Sequence, residues 1–188
     1  MYSGNLGLYY DLPALFEVIC SLPKEIKASD GREVIFAFVG NGGLKEKLEK
    51  FAIEHEANNV IFIPYQDKER LVYSLNAGDV HICMNAKGIK GVSCPSKYYG
   101  IAAIGKPVLA SLEKDTEIRN IIEKTDSGLV SSPGDNEALR NNLLEYIHNI
   151  TKEDAFMMGR RGRDNLLNNL TKKTSVDKYR KELLALLR

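Results

Sequence analysis

The chain has 188 residues, 44% hydrophobic and 27% charged, with a formal net charge of +1. That length supports one sizeable domain with a real core, and the near-neutral balance excludes nucleic acid as an expected partner. No apolar run approaches the roughly 18 residues of a bilayer span, and no charged-then-apolar leader opens the sequence. Cys20, Cys83 and Cys94 are odd in number and lack CxxC spacing. They read as reduced, buried thiols of a cytoplasmic protein, with neither a disulfide framework nor a zinc site. His55, His81 and His148 lie far apart and in no metal motif.

Taken in order, residues 1–7 read as the end of a strand running into a glycine loop. Asp11 is expected to cap a helix with Pro13 in its first turn and Leu15, Phe16, Val18, Ile19 and Leu22 on its apolar face. Residues 33–40 form a continuous apolar run, the mark of a central parallel strand buried on both sides. After Gly42 and Gly43, apolar residues at Leu44, Leu48, Phe51 and Ala52 share one helix face. Residues 59–63 form the next strand, stopped by Pro64. Asp67 is placed to start a helix through Leu71, Val72 and Leu75, which ends at Gly78. Residues 79–84 are again a strand.

The next stretch, residues 91–110, organises the chain. Its glycine and small polar residues read as a loop, and Pro95 is suited to opening a helix over residues 96–104. Gly105 fits a left-handed stop, Pro107 prevents continuation, and residues 108–110 form a buried strand. A loop feeding a helix start offers backbone N–H groups and the positive end of a dipole to an anion. Lys97 in that first turn opposes the dipole, which points either to an anion beside it or to a side chain that simply reaches water. Downstream, residues 116–124 predict a helix and 127–130 a short strand. A turn at 133–135 leads into a helix carrying Leu139, Leu143, Leu144 and Ile147, and residues 152–188 are helical with a break near 171–175.

Strands and helices alternate about six times with short connections, which predicts an α/β fold. The expected architecture is a Rossmann-like, doubly wound parallel sheet of about six strands with helices on both faces. Residues 1–150 form this domain and residues 151–188 a helical C-terminal extension. Ligands bind such sheets at the carboxyl ends of the strands, where the loops at 4–7, 40–43, 64–67 and 85–96 fall. Residues 40–43 are not a GxGxxG fingerprint, because position 45 is lysine, nor a P-loop, because no Gly-Lys-Ser/Thr follows. A tight strand-to-helix turn accounts for their glycines equally well. No nucleophile elbow or Ser/His/Asp order is visible.

The loops together resemble a known family. Phe38-Val39-Gly40-Asn41-Gly42 ahead of a charged helix is similar to its "FVGxG", and residues 59–65 to its "NVxFxGxx". Residues 79–82 resemble its "aDv" strand. Pro95-Ser96-Lys97-Tyr98-Tyr99-Gly100 with Gly105-Lys106-Pro107-Val108 resembles "PSKxxxxxAxGKPV". Gly128-Leu129-Val130, Pro133-Gly134-Asp135 and Glu137-Ala138-Leu139 resemble "GxxxxPGDxxAL". In this order, and over almost the whole chain, these motifs resemble the C-terminal, donor-binding half of family 4 (group 1) glycosyltransferases of the GT-B fold.

The resemblance implies a retaining transferase taking its sugar from a nucleotide-diphosphate sugar, with UDP the expected nucleotide and neither metal nor cofactor required. It implies a diphosphate site at Gly4, Asn5, Gly7, Gly40, Asn41 and Gly42. Pro64 and Tyr65 would flank the base, and Ser96, Lys97 and Gly100 would complete the site, with Lys97 the catalytic charge. Residues 113–116 would line the sugar side, although Tyr65 and Glu113 also read as a packed turn aromatic and a solvated loop charge. The PSK variant resembles the branch acting in capsule, O-antigen or colanic-acid synthesis. Three departures stand out. Val92 and Gly100 occupy the positions of two glutamates the family spaces eight apart, the second of which usually holds the donor ribose. Residues 4–10 carry no basic side chain. The acceptor domain of the full-length enzyme is missing, so the chain is expected to be an inactive fragment whose last helix faces that domain. The basic residues Arg160, Arg161, Arg163, Lys172 and Lys173 read either as a peripheral surface for a lipid-linked acceptor at the inner face of the membrane or as a solvated helix face. Two other readings stay open: a GT-B sugar-nucleotide 2-epimerase, whose carboxylates and histidine have no evident place here, and a non-catalytic nucleotide-sugar-binding module, which the missing glutamates favour.

Overall fold

The structure is a computed structural model that describes residues 1–186; Leu187, expected on the apolar face of the last helix, lies outside the described residues. Six short strands alternate with helices: β1 (Tyr2–Ser3), α1 (Leu12–Cys20), β2 (Phe36–Val39), α2 (Lys45–Glu54), β3 (Val60–Ile63), α3 (Leu71–Asn76) and β4 (His81–Met84). There follow α4 (Lys97–Ala103), β5 (Val108–Ser111), α5 (Glu117–Thr125), β6 (Gly128–Ser131), α6 (Asn136–His148), α7 (Lys152–Asn169) and α8 (Lys172–Ala185). A turn of 3-10 helix at Leu8–Tyr10, which the sequence does not announce, follows β1.

All strand pairs are parallel, as predicted, but they form two ladders of three, β1-β2-β3 and β4-β5-β6. The ladders meet where β1 runs beside β4. There the Ile82 N–H donates to the Met1 carbonyl at 2.9 Å. The spatial order is therefore 3-2-1-4-5-6, that of dinucleotide-binding sheets, with its reversal between β1 and β4.

Alternation along the strands explains why they read as unbroken apolar runs. Ile82, Met84 and Leu109 point to one side, into a core with Leu15, Phe16, Phe38, Leu48 and Leu143 beneath α1, α2 and α6. Cys83, Val108 and Ala110 point to the other, joining Tyr98, Ile101, Ile118 and Ile122 beneath α4 and α5. In the first core Phe16 packs at a tilt against Phe38 (centroids 4.6 Å apart), and Phe38 stacks on Phe62 (5.6 Å). The second core stops at β4. Beyond it Ile35 and Ile61 remain 48% and 40% exposed.

Helix starts follow local chemistry in part. Asp135 accepts from the Ala138 N–H at 3.0 Å. Thr151 and Asp154 form a reciprocal capping box, and Thr171 caps α8 at the predicted break. Two expected caps differ. Asp11 precedes α1 with a left-handed φ of 47° and makes no capping bond: it ends the preceding 3-10 turn and so lacks the extended backbone of an N-cap. Asp67 heads only a turn, with its carbonyl accepting from Arg70 at 2.8 Å, and α3 starts at Leu71.

Helix α7 locks onto α4 and α5. A Cβ on Gly159 would stand 2.0 Å from the Gly105 carbonyl oxygen, so only glycine permits this approach. The Arg163 guanidinium donates to the Ala103 carbonyl at the end of α4. That of Arg161 donates to the Thr125 and Asp126 carbonyls at 3.1 and 3.0 Å and pairs with the Asp126 carboxylate at 2.6 Å. Two cations of the basic stretch thus satisfy the carboxyl ends of helices, and Arg160 pairs loosely with Asp164 at 3.9 Å. The far face of α8 is open, with Tyr179 75% and Leu183 60% exposed.

Gly159→Ala should destabilise the chain by about 1–3 kcal/mol through overpacking; a denaturation midpoint equal to that of the parent would refute the contact. His81 is buried, and its Nε2–H donates to the Leu75 carbonyl at 2.8 Å, tying α3 to β4. Burial, helped by the neighbouring amino terminus, lowers its pKa from 6.5 to about 3. The folded value lies below the unfolded one, so the native state is disfavoured as pH falls from about 6.5 toward 3, by up to about 1.4 kcal/mol per pH unit. Urea melts should show this loss below about pH 6.5, and His81→Gln should reduce its slope there, leaving the part due to the buried Met1 ammonium, whose pKa is lowered from 8.0 to about 5.

Candidate functional site

The carboxyl ends of β1, β2 and β4 converge where the strand order reverses, and three backbone contacts fix the first two together. The Gly4 N–H donates to the Val39 carbonyl at 2.8 Å, that of Leu6 to Asn41 at 2.9 Å, and that of Leu44 to Leu6 at 2.9 Å. Gly4 and Gly40 hold φ of 140° and 142°, conformations other residues rarely adopt. A Cβ on Gly40 would stand 2.0 Å from the Gly4 carbonyl oxygen, and one on Gly42 would stand 2.5 Å from that of Leu6. The two glycine loops are therefore in van der Waals contact along their backbones. Asn41 closes its own turn, its Oδ1 accepting from the Gly42 N–H at 2.9 Å. Tyr65 lies over the same loop, 58% exposed, and its hydroxyl donates to the Asn41 carbonyl at 3.2 Å. Pro64 precedes it and accepts from the Gln66 amide at 2.9 Å. Gly7 abuts the Asn5 side chain, and the Asn5 carbonyl accepts from the buried Tyr2 hydroxyl at 2.7 Å.

Lys97 enters this junction from α4. Its ammonium lies 3.6 Å from the centroid of the Tyr10 ring and 4.8 Å from that of Tyr2. A Cβ on Gly4 would meet its Cε at 3.2 Å and its Nζ at 3.6 Å. Burial pulls its pKa below the usual lysine range. Among the described residues the Lys97 ammonium has neither an ion pair nor a hydrogen bond. Tyr2 and Tyr10 carry no sequence signal for this role. Only the 3-10 turn after β1 brings Tyr10 against a lysine so distant in sequence.

Several expectations need correction. The Ser96 N–H is not open to a ligand: it donates to the Cys94 carbonyl at 2.8 Å. Pro95 stands before the helix, whose cap position is Ser96 and whose first residue is Lys97. A tight turn at 94–96 consumes the donor that a bare helix start would leave. Gly100 is not in the glycine cluster: its nearest neighbour is the Leu75 side chain of α3, at 3.9 Å from a built Cβ. The space for a larger side chain there is present, and the carboxylate is not. Glu113 serves as a loop anchor, half-buried rather than fully solvated. Its carboxylate accepts from the Gly88 and Lys90 N–H groups at 3.1 and 2.9 Å. Lys90 in turn donates to the Lys114 carbonyl at 2.8 Å. Asn85, 6% exposed, holds the other end of the same loop, donating to the Ser93 carbonyl at 3.1 Å. The 85–96 loop is thus anchored at both ends beside Lys97. Among the described residues no three His, Cys, Asp or Glu side chains gather as a metal site, and no helix is long and apolar enough to cross a membrane.

Comparison with known proteins agrees with this arrangement. Residues 1–165 match the family model described as "Glycosyl transferases group 1". The chain is 30% identical over 181 residues to "Probable glycosyltransferase WbjE" of Pseudomonas aeruginosa, covering 95% of this chain and 42% of that protein. Its fold is similar to that of a point mutant of TarM from S. aureus, crystallised with fondaparinux, alpha-GlcNAc-glycerol and UDP, with a TM-score of 0.73 at 15% identity over 96% of this chain and 34% of TarM. It is similar too to WaaG, a glycosyltransferase involved in lipopolysaccharide biosynthesis, with a TM-score of 0.65 at 16% identity over 89% of this chain and 44% of WaaG. The chain thus spans less than half the length of each of these proteins. A core of two packed faces, a strand-order reversal lined by glycine loops and a match over nearly nine-tenths of the sequence converge on one conclusion: the chain belongs to the group 1 glycosyltransferases, as their C-terminal domain in the GT-B fold.

Proposed function

We propose that the domain binds the nucleotide-diphosphate sugar of a retaining glycosyltransferase, with UDP the expected nucleotide, at the junction of β1, β2 and β4. One observation carries this reading: a desolvated ammonium with no counter-ion, Lys97, held on aromatic faces against the Gly4 backbone. Withdrawing a cation from water without a partner costs free energy, and an incoming diphosphate supplies the missing charge. The same charge stabilises the diphosphate as it leaves the anomeric carbon. The glycine loops admit phosphate oxygens close to backbone, and exposed Tyr65 offers a face to the base. The UDP bound in TarM supports this choice of nucleotide.

Sugar transfer in this reading requires a second, acceptor-binding half from the same enzyme, since transfer depends on holding the acceptor hydroxyl against the anomeric carbon. The open face of α8, with Tyr179 and Leu183, is where that half would pack. The same reading places the enzyme in surface polysaccharide synthesis, acting on a lipid-linked acceptor at the membrane surface.

Lys97→Ala should leave the fold intact and weaken UDP binding by about 1.5–3 kcal/mol, the range for hydrogen bonds to charged groups. Calorimetric titration of parent and variant tests this, and equal affinities would remove Lys97 from the site. Residues 1–188 alone should show no transfer from UDP-sugars to any acceptor. Turnover by the isolated chain in a radiolabel assay would overturn the two-half reading.

A further inference from the structure

The carboxyl end of β4 carries a buried amide that the chain itself leaves half used. Asn85, 6% exposed, follows Met84 directly. Its backbone N–H donates to the Ser111 carbonyl at the end of β5, at 3.0 Å, and the Ala86 N–H donates to the Tyr9 carbonyl at 2.8 Å. The residue is therefore pinned between the next strand and the 3-10 turn that presents Tyr10 to Lys97. Alternation along the strand puts its side chain on the side of Cys83, which packs beneath α4. The Nδ2 group points there too, donating to the Ser93 carbonyl at 3.1 Å. Lys97 begins α4 just beyond Ser93.

The other half of that amide has no partner. Among the described residues no donor reaches the Asn85 Oδ1, which is shut off from solvent. Turning the amide over does not repair this, because it would set the oxygen against the Ser93 carbonyl. A buried acceptor left unpaired costs free energy. Neighbouring donors of the loop go elsewhere, the Gly88 and Lys90 N–H groups to the Glu113 carboxylate and that of Ser96 to Cys94. One end of the sheet thus holds two groups without partners: the Lys97 ammonium and a neutral oxygen that can only accept. A ligand that satisfies both carries an anion and a hydroxyl, as a sugar diphosphate does.

We propose that Asn85 is a specificity-determining residue whose Oδ1 accepts a hydrogen bond from a hydroxyl of the transferred sugar. The inference rests on the nucleotide-sugar reading and adds to it the class of sugar. A hydroxyl, and neither a carboxylate nor a deoxy carbon, stands at the position that Asn85 meets. A carboxylate there would set oxygen against oxygen. A deoxy carbon would leave the buried acceptor orphaned, which is how a site built for a hydroxyl rejects the analogue lacking it. The oxygen is covered, so the hydroxyl reaches it with a shift of the 86–92 segment. That segment is largely exposed and turns through Gly88 and Gly91 at left-handed φ of 84° and 79°.

Calorimetric titration of the 188-residue chain with UDP, UDP-glucose and UDP-galactose tests this. Asn85→Ala removes both halves of the amide, whereas Asn85→Asp keeps an acceptor and loses the donor to Ser93. The affinity of at least one UDP-hexose relative to UDP should fall about tenfold in Asn85→Ala. It should hold in Asn85→Asp, whose added charge opposes UDP and UDP-hexose alike. A ratio unchanged in Asn85→Ala with both sugars would overturn the proposal. An equal fall in the two variants would overturn it as well, since a loop anchor acting through Nδ2 behaves that way. Both results leave UDP binding, and with it the nucleotide-sugar reading, in place. Failure of the parent to bind UDP would instead remove that reading and this inference together. A measurement on the parent needs no variant to fold: one of the monodeoxy forms of UDP-glucose should bind about tenfold more weakly than UDP-glucose itself, and equal affinities throughout the set would sink the assignment.

Discussion

A carbonyl oxygen 2.0 Å from where a Cβ would stand at Gly40 sets the geometry of the whole cleft. It belongs to Gly4, and the contact joins the ends of β1 and β2 without any side chain between them. The loops then lie flat enough for Leu6 to exchange hydrogen bonds with Asn41 and Leu44. Tyr65 closes over the pair from the end of β3. No side-chain packing could substitute, because the approach is closer than any Cβ allows.

The same junction isolates a charge. Lys97 rests on Tyr10 and Tyr2 rather than on a carboxylate, and ring quadrupoles recover only part of the hydration it loses. The domain therefore holds an unmet electrostatic demand at the strand-order reversal. Structural cations elsewhere are met in full: Arg119 reaches the Leu112 carbonyl and the Glu123 carboxylate, each at 2.8 Å. Arg161 and Arg163 close the carboxyl ends of α5 and α4. The contrast separates a lysine without a counter-ion among the described residues from arginines committed to the fold.

Rigidity around the cleft is unevenly distributed. The α4–α7 contact rests on backbone against backbone at Gly159 and Gly105, and the 85–96 loop is tied by Asn85 and Glu113 at its two ends. On the opposite flank α3 has no buried residue, and its firmest link to the sheet is the His81 bond to Leu75. Motion in the domain is expected on that flank, where few apolar contacts oppose it, and not at the glycine loops.

The class of fold is legible in the amino-acid order. Apolar runs at residues 33–40 and 79–84, separated by amphipathic helices, demand a parallel sheet covered on both faces, because only such a sheet buries every residue of a strand. The succession of motifs around Gly40, Lys97 and Gly128 likewise marks the family. What each site residue does emerges only in the folded chain. Folding sets Lys97 on Tyr10, a pairing of residues so far apart that no local period records it. It occupies the Ser96 N–H with Cys94, turns Gly100 toward Leu75, and makes Glu113 a loop anchor instead of a free acid. The physical reason is range. Burial pattern and turn chemistry act within a few residues and are written in the sequence, whereas the partner of a charge or an N–H is set by which distant segments the finished sheet brings together.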